Sequence, residues 1–198
     1  MTDKLSPIQS KLAACTICAS KFAATKTQHS PRPIIWFSSN ARILIAGQAP
    51  GMRVHEDGRP FWDPSGDRLR DWMGLDKETF YDRSKIAILP MAFCFPGYNA
   101  AGSDLPPPKV CADTWRADIL ENLYNVELTL LVGGYAQRWH LKTNLSVTDT
   151  VKNWREIKPG VIPLPHPSWR NTGWIKKNPW FEIELLPVLR SRLKSILK

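Results

Sequence analysis

The stretch Arg42-Ile43-Leu44-Ile45-Ala46-Gly47-Gln48-Ala49-Pro50-Gly51 decides the fold. Four successive apolar side chains leave no polar alternate face, so the segment reads as a strand covered on both sides, the environment of a parallel sheet. It breaks off at a loop of small residues. Three further runs end in the same way. Lys85-Ile86-Ala87-Ile88-Leu89 leads into a Pro-rich loop over residues 90–108, Leu128-Thr129-Leu130-Leu131-Val132 into Gly133-Gly134, and Val161-Ile162-Pro163-Leu164 into Pro165-His166-Pro167-Ser168.

Amphipathic stretches separate these strands, an alternation that marks an α/β fold. Ser65 is expected to cap a helix with Leu69, Trp72 and Met73 on one face. The prolines at 106–108 precede a second, carrying Val110, Trp115, Ile119, Leu120 and Leu123, and Asn178-Pro179 opens a last one with Phe181, Leu185, Leu186, Leu189 and Leu193. Ligands of open α/β sheets bind beyond the carboxyl ends of the strands, so all four loops are expected to converge on one cleft.

Residues 1–198 show no repeat, low-complexity tract or linker, and 43% apolar residues suffice for a sizeable core, so one domain is expected. The longest apolar runs fall far short of the roughly 20 residues of a membrane span, and the first ten residues lack a signal-peptide core. A soluble cytoplasmic monomer without membrane contact is the expectation. The chain carries 27 Lys plus Arg against 18 Asp plus Glu, a net charge of +9, and such an excess attracts polyanions. Nucleic acid is therefore the first partner to test, against the plainer reading of a generically basic protein. Nine Trp and 17 Pro point to long loops held in fixed shape.

Four cysteines fall at C-x2-C-x75-C-x16-C: Cys15, Cys18, Cys94 and Cys111. Without an export signal, thiolate–metal binding is the better reading than disulfides. Four thiolates suit either a [4Fe-4S] cluster or tetrahedral zinc. The plain alternative is two buried thiols and an incidental first pair.

Gly47-Gln48-Ala49-Pro50-Gly51, Gly58-Arg59-Pro60-Phe61, Ser65-Gly66-x-x-Leu69 and His166-Pro167-Ser168 resemble, in this order, the signature segments of the uracil-DNA glycosylase superfamily, most of all its bacterial and archaeal iron-sulfur branch. The resemblance spans about residues 12 to 190. It implies a three-layer α/β/α sandwich around a four-stranded parallel sheet and a structural [4Fe-4S] cluster on Cys15, Cys18, Cys94 and Cys111. The implied activity is hydrolysis of the bond between a damaged base and deoxyribose, in single- or double-stranded DNA. His166 would donate a hydrogen bond to the oxyanion that develops on the departing base. Phe61 would stack on a flipped base, and the 47–51 loop, through Gly47, Ala49, Pro50 and Gly51, would let the backbone approach the sugar. Ser168, Trp169, Arg170, Lys176 and Lys177 correspond to the loop that enters the DNA groove. Taken singly, His166 also reads as a backbone-bonded loop histidine and Phe61 as a core aromatic.

Three positions depart from the family pattern. Gln48 stands where the iron-sulfur glycosylases have Glu, and an amide can orient a water but not accept its proton. The usual acidic pair falls on Val54 and His55, which leaves Asp63 and Asp57 as the carboxylate candidates for stabilising sugar charge, or else as solvated loop acids. Pro90 occupies the place of the Asn that reads the uracil edge, with Asn99 the nearest substitute. The substrate base therefore need not be uracil. Two rivals share the fold: a nucleic-acid-binding or damage-sensing module without catalysis, and a hydrolase of free nucleosides or nucleotides.

Overall fold

A computed structural model describes residues 4–198; residues 1–3, included in the expected domain, lie outside the described residues. The four strands are β1 (Ile43–Ala46), β2 (Ile86–Ile88), β3 (Leu128–Val132) and β4 (Val161–Leu164). They form one all-parallel sheet in the order β2-β1-β3-β4. Every strand side chain is buried except the partly covered Thr129, as a sheet packed on both faces requires.

The helices are α1 (Leu5–Ala13), α2 (Ala19–Ala23), α3 (Met52–Asp57), α4 (Pro64–Met73), α5 (Lys77–Tyr81), α6 (Lys109–Glu121), α7 (Gly134–Leu141), α8 (Val147–Lys152), α9 (Thr172–Lys177) and α10 (Leu186–Ile196). Strand residues alternate between two layers. Ile43 and Ile45 pack with Leu69, Trp72 and Leu189 of α4 and α10, whereas Leu44 packs with Leu5, Leu12 and Ile119 of α1 and α6. Each such fully buried aliphatic side chain contributes about 1.5–3 kcal/mol relative to exposure. The result is the expected α/β/α sandwich.

One expected helix start is displaced. Asp63, not Ser65, caps α4: its extended backbone lets the carboxylate accept the Gly66 amide at 2.8 Å, and Pro64 takes the first helical position, where no amide is needed. Asn178-Pro179 opens the last helix as expected, with the amides of Phe181, Glu182 and Ile183 bonding the carbonyls of Asn178 and Pro179. A π-helical turn over Phe181–Leu185 precedes α10, because Pro187 has no amide to give the carbonyl four residues back. Among the described residues no helix is long and apolar enough to cross a membrane.

Arg116 lies on the inner face of α6 with 1% of its surface exposed. Its guanidinium donates to the carbonyls of Leu89 at 3.0 Å and Pro90 at 2.9 Å, meets His140 Nε2 at 2.6 Å, and lies 5.0 Å from the Trp139 ring. Burial without a carboxylate partner pushes Arg116 down to about 9. Burial, and then the neighbouring Arg116 charge, pushes His140 down to about 3, so it stays neutral and accepts the guanidinium proton at Nε2. The unfolded chain takes up this proton near pH 6.5 and the folded chain does not, so the His140 contribution is full above pH 6.5 and is lost as pH falls toward 3. Thermal unfolding followed by circular dichroism should show the midpoint dropping between pH 7 and 5, with a shallower slope for His140→Gln.

Candidate active site and cysteine centre

Beyond the carboxyl ends of the strands lies a cleft of about 620 Å³. The 47–51 loop, with Gly47, Gln48, Ala49, Pro50 and Gly51, forms one wall. It is knitted to the segment after β2 by bonds from the Met91 amide to the Gly47 carbonyl at 2.9 Å and from the Ala92 amide to the Gln48 carbonyl at 3.1 Å. Phe61 and His166 line the same cleft, so the three expected groups surround a common cavity. Of the four expected loops, Gly133-Gly134 stands behind rather than in the wall. A side chain at Gly133 would meet the His166 Cβ at 3.7 Å, which places this glycine directly beneath the histidine.

Phe61 is held by its backbone. Its φ of +54° is a conformation non-glycine residues rarely adopt. The strain, about 1–2 kcal/mol, is balanced by two donors on its carbonyl: Tyr81 Oη at 2.9 Å and Arg70 Nη1 at 3.2 Å. Gly66 is required beneath, because a Cβ there would overlap that carbonyl. The ring then extends so that its tip lies 3.6 Å from where a side chain at Gly47 would begin, edge-on to Phe80 at 6.3 Å. The Ser65-Gly66-x-x-Leu69-Arg70 segment is thus the seat of the Phe61 ring.

His166 Nδ1 accepts the Ser168 amide at 3.2 Å, and the His166 carbonyl accepts from Asn171 Nδ2 at 2.7 Å. Burial lowers the His166 pKa, with a partial offset from the nearby Asp63 charge. The ring is therefore neutral, and with Nδ1 accepting, the proton sits on Nε2, which has no protein partner among the described residues. Arg68 of α4 steadies the following loop through the Ser168 carbonyl at 3.0 Å and Thr172 Oγ1 at 3.2 Å.

The carboxylate candidates separate. Asp63 lines the cleft, with one oxygen engaged as the α4 cap. Asp57 is exposed on α3 and does not reach the wall. Asn99 is exposed too, its side chain turned to accept the Ser103 amide at 3.0 Å. Pro90 does line the cleft, so the position where the family pattern has Asn faces the cavity. Val54 also lines it, whereas His55 packs against His29 at 5.2 Å and Phe95 at 6.0 Å. Sequence reasoning missed Asp104, a cleft-lining carboxyl whose pKa is raised by burial and held back by Arg170. Its only signal was its place in the Pro-rich loop. Arg53, also lining the cleft, was missed as well.

Ser168, Trp169 and Arg170 line the mouth, and Trp169 is 74% exposed. Lys176 and Lys177 are exposed on α9 but outside the cleft wall. Trp174, earlier on the same helix, turns inward, bonding Thr148 Oγ1 at 2.8 Å and packing on Phe181 at 5.6 Å.

A second, apolar pocket is lined by Cys15, Cys18, Cys94 and Cys111, with Leu12 and Phe22. Chain segments far apart in sequence thus bring all four thiols to one place. Among the described residues no three His, Cys, Asp or Glu side chains converge as a lone metal ion would require. Burial pushes the Cys94 thiol up to about 12 and the Cys111 thiol up to about 11. Backbone amides oppose this: Arg32 on Cys94, and Phe93 on Cys111 Sγ at 3.4 Å. Such N–H donors to sulfur favour thiolate, the form that ligates. The donor set fits an all-sulfur cluster.

If Gly66 is the seat of Phe61, Gly66→Ala should destabilise the fold by at least about 2 kcal/mol in denaturant titration, because the crowding atom is a backbone carbonyl that cannot rotate away.

The sequence model of the uracil DNA glycosylase superfamily matches residues 34–190. That span holds all four strands, both walls of the cleft, Cys94 and Cys111. With the motifs brought together around one cavity on the sheet's carboxyl edge, the chain belongs to the uracil-DNA glycosylase superfamily.

Proposed function

We propose that the protein is a monofunctional DNA N-glycosylase that hydrolyses the bond between a uracil-type or otherwise deaminated base and deoxyribose. Family membership supports glycosylase chemistry and DNA as the partner in general terms. The observation that carries the specific reading is that Gln48, Phe61 and His166, from three separate loops, line one cleft.

Bond scission builds positive charge on the sugar and negative charge on the base. The extruded base stacks on Phe61. Its developing oxyanion accepts the Nε2 proton of neutral His166, a donor already in place when charge develops. Asp63, and with it Asp104, supplies negative charge toward the sugar. Gln48 orients the water, which suffices once the sugar carbon is strongly electrophilic. The cleft's cations are Arg53 and Arg170, whose guanidiniums form no imine, in keeping with a monofunctional route. Trp169 and Arg170 stand where a groove-entering loop would fill the space left by the flipped base. The enzyme is proposed to act as a cytoplasmic monomer.

Cys15, Cys18, Cys94 and Cys111 are proposed to hold a [4Fe-4S] cluster. Its contribution would be structural: four bonds to sulfur fastening the turn between α1 and α2 to the segments before and at the start of α6. The fit rests on the shared apolar pocket and the amide donors to Cys94 and Cys111.

Oligonucleotides carrying uracil, hypoxanthine or xanthine should lose the base from at least one. His166→Ala should slow release by about 100-fold or more while changing affinity little. Because burial lowers the His166 pKa, the rate should not fall between pH 8 and 6.5. Absence of release from all three, with intact DNA binding, would favour the non-catalytic binding module, a reading supported by the amide at Gln48 and the missing reader at Pro90. Release from free nucleosides, indifferent to Arg170, would favour the nucleoside hydrolase.

Anaerobically purified protein should absorb broadly near about 400 nm and lose that band in Cys94→Ser and Cys111→Ser. Colourless protein with stoichiometric zinc would overturn the iron-sulfur assignment.

A further inference from the structure

Pro31-Arg32-Pro33-Ile34 touches both the cysteine pocket and the cleft. Pro31 and Pro33 line the pocket, and Ile34 lines the cleft. Arg32, between the prolines, bonds in two directions. Its amide donates to Cys94, and its guanidinium crosses to α3. There Arg32 Nη1 donates to the carbonyl of His55 and, at 2.7 Å, to that of Glu56. Both belong to the last turn of the helix, where carbonyls have no partner within the helix and a cation is favoured. Gly58, which ends α3 at a φ of +75°, leaves room for the arginine: a Cβ there would lie 2.9 Å from Arg32 Nη2. Pro31 has a fixed φ and Pro33 holds the residue before it extended, so the side chain reaches out from a stiff base.

Helix α3 needs such a tie. Its six residues are too few to be stable alone, and Val54 is its only buried side chain. Its beginning is part of the cleft, where Gly51, Arg53 and Val54 line the wall. We propose that Arg32 is a positioning residue that couples the cysteine centre to the cleft, so that a metal held by the four thiols fixes α3 and its loss frees that part of the wall. A shift of Cys94 is passed through the Arg32 amide to the stiff Pro-Arg-Pro backbone and so to the guanidinium on α3. His55 also packs on Phe95, the residue after Cys94, at 6.0 Å. A ring contact can slide, however, whereas hydrogen bonds from one guanidinium to two carbonyls are directional. The proposal rests on the metal and glycosylase readings for what is coupled, and not for the hold of Arg32 on α3.

The test uses the full chain, purified anaerobically with its metal, and needs no turnover. Amide hydrogen exchange is read by mass spectrometry over residues 52–58, where the Gly58 amide bonds the Val54 carbonyl at 2.8 Å. Arg32→Gln keeps the backbone amide on Cys94, so it should retain its metal by elemental analysis. It should nevertheless speed exchange over this segment at least about tenfold and leave β3 unchanged. Arg32→Lys, which still presents a cation to the helix end, should restore most of the protection. Stripping the metal from the wild type with ferricyanide and EDTA should speed the same segment to a similar degree. Stripping Arg32→Gln should add less than about twofold, since two changes on one route do not add. Unchanged exchange in Arg32→Gln, no rescue by lysine, additive effects, or a rise spread evenly over the chain on stripping would overturn the coupling. Protein that purifies without metal would overturn the metal reading and the coupling with it, whereas absence of base release with the exchange pattern as expected would overturn the catalytic reading alone.

Discussion

The carbonyl of Phe61 is the point on which the cleft depends. A left-handed backbone at a bulky residue is costly, and it persists only where surrounding groups over-determine it. Here two helices, α4 with its cap and α5, do so. Asp63 fixes the start of α4, Gly66 within that helix clears room for the carbonyl, and Arg70 one turn further donates to it, while Tyr81 at the end of α5 donates from the other side. The Phe61 ring is thereby aimed at Gly47 by helices that are themselves packed on the sheet. Tyr81 also packs against the Trp62 ring at 5.5 Å, so one phenol joins the seat of Phe61 to the partly exposed Trp62.

Electrostatic economy shapes the rest. Two histidines are kept neutral by burial, each with one ring nitrogen held as an acceptor: His166 by the Ser168 amide and His140 by Arg116. In the cleft this leaves an imidazole N–H without a protein partner among the described residues; behind the cleft it gives a buried guanidinium one acceptor, while Arg116 Nε stays unbonded. Helix α6 links the two regions. It carries Cys111 near its start and, further along its inner face, Arg116, whose bonds to the Leu89 and Pro90 carbonyls set the segment running from β2 to Cys94. The cysteine pocket and the cleft wall therefore share one support.

Of the residues that differ from the family pattern, Gln48, Val54 and Pro90 line the cleft and His55 does not. Gln48 and Pro90 both line the cleft, where an amide and a ring replace a carboxylate and an amide. Negative charge enters instead from Asp63 and Asp104, on other loops. Beside these changes the cleft keeps the Phe61 ring and the neutral His166 imidazole.

The four strands were legible because a doubly covered strand must be apolar throughout, and each run of aliphatic residues is bounded by loop residues. The parallel sheet, the convergence of Gln48, Phe61 and His166, and the grouping of the four cysteines followed from motifs whose spacing survives folding. Other features depend on contacts that spacing does not encode. Asp63 displaced Ser65 as a cap because an extended backbone brought its carboxylate to the Gly66 amide, and a π turn arose where Pro187 withheld an amide. Asp104 entered the cleft and Asp57 and Asn99 stayed outside because loop paths, not composition, decide which side of a wall a side chain faces. Sequence alone determined the layers, since burial of apolar surface is local and periodic; only the tertiary structure decided which polar groups meet, since hydrogen bonds and charges act over a few ångströms between residues far apart in the chain.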